Sequence, residues 1–417
     1  MKLSRTLKVK VGKLSKRKQN SLDSLLSKNA EAINFCLQKA KRGKRITHEL
    51  VYKDLRKLNL PATVIHGCRA KSVEIYKSYR KRKGKKSFPV VKNSKVRYDN
   101  VVVKLRKTNN VQYRYFISLL YKAGQRGKSN NRIELPLIAN SKYQTDIIQQ
   151  IGEDYKLGST ELVKRDNDYY VHISYNKEVD LPVPDESFSP IGVDLGINNL
   201  VVSVAPSSVL FRSGKRLVWK NEFFRKERAI LQQNAAFREL YKLKDRQTRY
   251  NNHYLLNSAR DIIEQAKRET NPVIILEDLT HIRDTTRVRK KQRYKHHTWI
   301  FRRQQQAIEY MALWDGIPVL YMDPYHSSQI CSRCGELNKR NKHTYKCKAC
   351  GFECNSDYNA GRNLQQFFRA ICSGERASIN YASNLVIPES KAEMDNLIGN
   401  NSIPPAPEVA GILEVIL

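Results

Sequence analysis

The sequence predicts a multidomain α+β protein. A β-barrel or sheet interrupted by a helical insertion precedes an α/β layer domain that carries a metal-binding cysteine ribbon. Three observations predict it. The hydrophobic period switches from two to helical and back within the first 180 residues. After a proline-rich linker, apolar strands alternate with helical stretches. Two Cys-x2-Cys pairs then stand close together.

Thr6 to Val11 alternates Leu7, Val9 and Val11 against Thr6, Lys8 and Lys10, which predicts a strand. Leu22, Leu25, Leu26, Ile33, Leu37 and Ala40 then recur at helical spacing. Thr47 is a good cap for a second helix ahead of Glu49, and Pro61 suits the start of a third that runs into the basic stretch Tyr79 to Lys86. Strands are expected again at Val101-Val102-Val103, Tyr113 to Phe116, Ile133 to Leu135 and Tyr169 to Ile173, with Arg165 to Asp168 supplying hairpin-turn chemistry. Leu181-Pro182-Val183-Pro184 opens a linker. Beyond it the pattern gives strands at Ile191 to Asp194 and Leu200 to Val204, then a long polar helical stretch from about Glu222 to Glu269. The apolar run Val273 to Leu276 ends at Glu277. A helix near Trp299 to Trp314, a strand from Ile317 to Asp323 and a last helix, about Tyr358 to Ile371, complete the pattern.

The charge restricts the partner. Lys and Arg number 76 against 40 Asp and Glu, a net charge of +36, or about one uncompensated cation per twelve residues. Such a surface calls for a polyanion. An anionic membrane is the weaker choice, because no apolar run approaches the roughly 18 residues of a span and no secretory leader follows Met1. Hydrophobic residues at 40% and 22 tyrosines exclude a wholly disordered basic tail. Residues 373–417 differ: two basic residues against six acidic leave the remainder at +40, and Pro404-Pro405-Ala406-Pro407 forbids helix there. This tail is expected to be disordered.

Cys331, Cys334, Cys347 and Cys350 form the two pairs, with Gly335 and Gly351 permitting the turn after each. Four thiolates close a tetrahedral zinc site with no open position, which means structure rather than catalysis. Cys354, His326 and His343 are then bystanders, and Cys36 and Cys68 fall in helical patterns as core residues.

Three acids sit at element ends: Asp194 in Ile191-Gly192-Val193-Asp194-Leu195-Gly196, Glu277 in Val273-Ile274-Ile275-Leu276-Glu277-Asp278, and Asp357 in Asn355-Ser356-Asp357-Tyr358. Strand alternation points Glu277 and Asp278 to opposite faces, so only one can join a shared site. Singly, each acid has a dull explanation: a turn cap, a lysine partner, a helix N-cap. Together, with no Ser-His-Asp or phosphate-loop pattern elsewhere, they are the parts of a Mg²⁺ site acting on a phosphodiester.

These motifs, in this order, resemble the TnpB proteins of insertion sequences. Ile191-Gly192-Val193-Asp194-Leu195-Gly196, Leu276-Glu277-Asp278-Leu279, Asp323-Pro324-Tyr325-His326-Ser327-Ser328-Gln329 before the cysteine ribbon, the ribbon itself and Asp357-Tyr358-Asn359-Ala360-Gly361-Arg362-Asn363 carry the resemblance over residues 190 to 370, and compact type V CRISPR effectors share it. The resemblance implies a RuvC nuclease of RNase H-like fold at 187–325 and 355–372, with a zinc ribbon at 326–354 that binds target nucleic acid. It also implies a wedge-type β-barrel at 1–19 and 87–180, a helical recognition insertion at 20–86, and a linker at 181–186. Asp194, Glu277 and Asp357 match the family's acids, which hold two Mg²⁺ ions; one Zn²⁺ is structural. The implied partners are a guide RNA and target double-stranded DNA, cut beside a short adjacent motif by a monomer or dimer in a prokaryotic cytoplasm, at the nucleoid. Cys354, Gly361 (where a second Ala is common) and the acidic tail depart from the pattern. A nuclease-dead DNA-binding repressor and a strand-transferring transposase are the alternatives to cleavage.

Arg80, Lys81, Arg82 and Lys83, and Arg287, Lys290 and Lys291 in the run Arg287 to His297, lie in the densest charge runs and are candidate phosphate contacts. The second run could form a mobile lid over the metal site. Tyr76, Tyr79, Tyr113 and Tyr115 beside basic residues could stack on bases, although strand tyrosines are more often packing.

Overall fold

The structure is a computed structural model that describes residues 1–43, 45–82, 87–92, 94–109, 112–124, 131–278, 301–322, 328–338 and 343–374. Lys83, Arg287, Lys290, Lys291, the expected lid, His326 and the acidic tail lie outside the described residues. The chain divides into two compact units, with the boundary between Lys177 and Glu178.

The first unit opens with β1 (Lys2–Val11), whose buried Leu3, Leu7, Val9 and Val11 give the expected two-residue period. Helices α1 (Lys16–Lys41), α2 (His48–Arg56) and α3 (Ala62–Lys81) follow. Thr47 caps α2 by accepting from the Leu50 N–H at 3.3 Å. The strands then resume as β2 (Val96–Tyr98), β3 (Lys104–Lys107), β4 (Tyr115–Leu120), β5 (Arg132–Ile138), β6 (Lys156–Arg165) and β7 (Asp168–Glu178), with α4 (Lys142–Gln150) before β6. The sheet order is β2-β6-β7-β1-β5-β4-β3. It curls: Tyr98 on the β2 edge, fully buried, donates its hydroxyl to the Leu120 carbonyl on β4 at 2.9 Å. Asp166 turns β6 into β7 at φ 53°, as the Asp-Asn turn chemistry requires.

Three expectations change here. Val101 and Val102 lie in a 3₁₀ turn, Asn100–Val102, and Val101 is 84% exposed, so they form no strand. The strand expected from Tyr113 begins at Tyr115. Helix α4 was missed, although Ser141 and Gln144 form a complete capping box.

The second unit contains β8 (Ser189–Asp194), β9 (Asn199–Val204), β10 (Val209–Ser213), α5 (Lys215–Gln233), α6 (Phe237–Ala266), β11 (Pro272–Glu277), α7 (Phe301–Trp314), β12 (Val319–Met322), β13 (Thr344–Lys346), β14 (Glu353–Asn355) and α8 (Ser356–Cys372). The long polar stretch is therefore two helices, broken where Ala235 takes φ 49°. The main sheet runs β10-β9-β8-β11-β12: β8 to β10 are antiparallel, and β11 and β12 are parallel to β8.

Alternation along the strands assigns the faces. Ile191, Val193, Ile274 and Leu276 pack with α5, α6 and α7. Val273, Ile275, Leu320 and Met322 pack with Leu364, Phe367 and Phe368 of α8, each burial worth roughly 1.5–3 kcal/mol. Gln365, buried on α8, donates to the Pro190 and Val204 carbonyls, both at 2.9 Å, and pins the helix to the sheet. The contact is close because it lacks side chains: a Cβ on Gly192 would collide with the Gly361 carbonyl, and one on Gly361 would meet a Val204 methyl at 2.7 Å. No described helix is long and apolar enough to cross a membrane.

Candidate metal centres and carboxylate edge

The cysteine knuckles assemble from local turns. Gly335 and Gly351 take φ 80° and 71° and return their N–H groups to the Cys331 and Cys347 carbonyls at 2.9 and 3.1 Å. Asn338 bridges the pairs, donating to Cys347 Sγ at 3.4 Å and accepting from the Lys348 N–H at 3.1 Å. The sulfur atoms of Cys331 and Cys350 lie 3.7 Å apart, and those of Cys334 and Cys347 3.6 Å. A tetrahedral ion with bonds of about 2.3 Å to sulfur needs sulfurs about 3.8 Å apart, so the four thiols fit zinc. Without a cation they compete for charge. Burial opposes ionisation of Cys347, but the Cys350 N–H, the Cys334 thiol and the Ala349 N–H bring it down to about 7. A backbone bond at Glu336 favours the Cys334 thiolate, yet desolvation and the other three thiols push it up to about 12.

Cys354 stands outside this set, paired across the β13–β14 hairpin with Tyr345, and burial pushes its thiol up to about 11. His343 bonds through Nε2 to the Asn198 amide at 2.8 Å. Cys36 and Cys68 are buried, and burial pushes Cys68 up to about 12.

The three acids arrive by long-range packing. Asp194 ends β8 two residues beyond Gly192, which faces α8, so alternation turns its side chain to the α8 face. Glu277 ends β11 two residues beyond Ile275, which packs against α8, and so turns to the same face; Asp278 turns to the other. The parallel register runs up to Leu276 opposite Val193, one step before the two acids. Gln305 of α7 donates to the Glu277 carbonyl at 2.6 Å, and the Asp278 N–H donates to the Met322 carbonyl at 2.7 Å, which fixes the backbone there.

Asp357 lies in the first turn of α8 but does not cap it. Asn355 is the cap, accepting from the Asp357 and Tyr358 N–H groups at 2.9 and 3.2 Å. The Asp357 carboxylate is left facing the sheet, where the Asn199 amide donates to it at 2.9 Å. Gly196 lets the turn close on Asn199: a Cβ there would collide with the Asn199 carbonyl at 2.7 Å. Among the described residues, only the four cysteines form a group of three or more potential ligands all within 4.8 Å of one another. The acids share an edge and a face but are not gathered that tightly.

Sequence reasoning missed Asn199, which carries no motif beyond a place in an Asn-Asn pair. It also missed the ties between α8 and the ribbon: Asn359 and Asn363 both donate to the Ile330 carbonyl, at 2.6 and 2.9 Å. Of the candidate nucleic-acid contacts, Arg80, Lys81 and Arg82 are exposed at the end of α3. Tyr115 is buried, and Tyr113 packs against Gly12 while accepting from the Lys13 N–H at 3.1 Å, so both are packing residues.

Comparison with known proteins adds independent findings. Residues 301–364 match the family model of the Cas12f1-like TNB domain. The CRISPR-associated endodeoxyribonuclease Cas12f1 of Sulfoacidibacillus thermotolerans is 26% identical over 320 residues, which cover 70% of this chain and 74% of that protein. A TnpB-like protein of Methanocaldococcus jannaschii is 28% identical over 239 residues, covering 54% and 83%. The putative RNA-guided DNA endonuclease InsQ of Escherichia coli is 24% identical over 263 residues, covering 57% and 62%. Among solved structures, a Cas12f1–sgRNA–target DNA complex superposes with a TM-score of 0.58 at 18% identity, covering 84% of this chain and 83% of that one, a likeness of fold.

Proposed function

We propose that this chain, a member of the TnpB and type V group by the similarities above, is an RNA-guided, Mg²⁺-dependent DNA endonuclease that cleaves beside a short adjacent motif with a single RuvC site. The observation that carries this reading is that Asp194, Glu277 and Asp357, distant in sequence, share one sheet edge and the α8 face. The oxygen-only donor set suits hard divalent cations. Asp194, Glu277 and Asp357 are the residues that would hold such ions. Such ions, when bound, supply an activated water and stabilise the departing oxygen.

The chain's own residues do the rest. Asp194 and Glu277 project from strand ends whose backbones are held by the sheet and by Gln305. Asn199 orients Asp357 from the neighbouring strand, and Gly196 lets the turn close against the Asn199 carbonyl. The four cysteines hold one structural zinc. The first unit serves as the wedge-type barrel with α1 to α3 as its recognition insertion, and its exposed Arg80, Lys81 and Arg82 meet phosphate. The net charge of +36 suits a protein that holds RNA and DNA together.

The test is the Asp194→Ala variant, assayed for both cleavage and RNA-dependent DNA binding. Cleavage should vanish while binding persists; continued cleavage would refute the assignment. Sequencing the RNA that co-purifies with the protein identifies the guide and its origin. A compact CRISPR effector with the same chemistry is the second reading, favoured by the Cas12f1 alignment extending over 70% of the chain. A repeat–spacer array near the gene would support it; a transposon end overlapping the reading frame would support the TnpB type.

A further inference from the structure

On the α5 and α6 face of the second unit's sheet, the end of β10, the start of α5 and the middle of α6 surround an open cavity of about 530 Å³. Arg212, Arg216, Arg260 and His253 line it, and its one acid, Asp261, is paired with Arg212 at 2.5 Å. Arg216 and Arg260 are exposed cations in excess of that pair, and Arg260 donates to the Asn257 side chain at 3.4 Å. The aromatic wall is held in place: Tyr254 donates to the Ser213 carbonyl at 2.7 Å and stacks on Tyr250 with ring centroids 6.3 Å apart.

The cavity shares one end of the sheet with the acids. Ser213 pairs with Asn199 across the β9–β10 ladder, and Asn199 donates to Asp357. The cavity therefore opens at the same end of the sheet as the acids but on the opposite face, the α5 and α6 side. Guanidinium groups present paired donors that match phosphate oxygens, and flat tyrosines accept a stacked ring.

We propose that this cavity is a phosphodiester-binding subsite for a nucleic-acid strand that passes this end of the sheet on the α5 and α6 side. The strand's role rests on the nuclease reading; the binding itself does not. Charge alone would spread contacts over the whole basic surface, whereas a built subsite concentrates them at Arg216 and Arg260.

The experiment uses the full chain with its co-purified RNA and the Asp194→Ala change, so that the probe survives. A short fluorescein-labelled single-stranded DNA is titrated at several salt concentrations. Arg216→Gln with Arg260→Gln should weaken binding about tenfold and lower the log–log salt slope by roughly 1 to 2. Lys226→Gln with Arg238→Gln, equal in charge and also exposed on α5 and α6, should change affinity by about twofold at most. Equal weakening by both pairs would overturn the subsite. A second titration uses dTMP: saturable binding lost in the Arg216/Arg260 variant while the DNA still binds normally would assign the cavity to a free nucleotide and also overturn it. Because the readout is binding, failure here leaves the nuclease reading intact. Failure of the cleavage test leaves this one standing.

Discussion

The cysteine knuckles and the carboxylate edge are both candidate metal centres, yet they are built by opposite means. The four thiols come from residues 331 to 350 and are gathered by two glycine turns and Asn338, so their sulfurs already sit at zinc spacing. The acids come from residues 194, 277 and 357 and are brought to one face by a parallel strand pair and a helix laid across it. The first centre needs only local chain; the second needs the whole sheet. Damage to packing should therefore spare metal binding at the knuckles and destroy it at the edge.

The largest expected effect is at the edge itself. Asp194→Ala or Glu277→Gln should reduce cleavage by more than the roughly 10²- to 10³-fold typical of removing one stabilising donor, with thermal unfolding nearly unchanged. Asp278→Asn, on the opposite face, should cleave as the parent does. If Asp278 proved essential and Glu277 dispensable, the face assignment would fail. Next comes Cys347→Ser, which should cost one zinc per chain by elemental analysis. Full zinc retention would remove Cys347 from the ligand set.

Packing comes third. Gly192→Ala forces α8 off the sheet and should cost about 3 kcal/mol or more, lowering stability and cleavage together while the zinc count stays at one. Gly361→Ala meets a Val204 methyl at 2.7 Å and the Gly192 carbonyl at 3.2 Å, a milder clash than at Gly192, and should cost about 1 to 2 kcal/mol. The smallest effect belongs to Asn199→Ala. Loss of its hydrogen bond to Asp357 should slow cleavage roughly tenfold, in keeping with about 1.5 kcal/mol for a bond to a charged group. Asn199→Asp should be worse, because it faces one carboxylate with another.

The same contrast explains what could be read from the residues. Cys-x2-Cys spacing encodes its geometry directly, so the knuckles were legible without a fold. The acids were legible as strand-end and helix-start positions, and the period-two rule already separated Glu277 from Asp278. What could not be read was how Asp357 is freed to face the sheet. Either Asn355 or Asp357 could cap α8 on propensity alone, and the choice was made by Asn199, a partner from a distant strand. The break near Ala235 and the 3₁₀ turn at Asn100–Val102 escaped for the opposite reason. Neither carries a Gly or Pro at its centre, and Val101, 84% exposed, lacks the half-buried pleated surface on which the strand preference of Val depends. Helix α4 was readable from Ser141 and Gln144.

The bare crossing of Gly192 and Gly361 has a consequence for mapping function by mutation. A saturation screen scored on DNA cutting would rank position 192 beside the acids, although its residue offers nothing to an ion. Only a parallel screen for abundance would separate the two kinds of intolerance: chains with a bulky 192 would be depleted from the cell, whereas chains lacking an acid would accumulate, intact and inert.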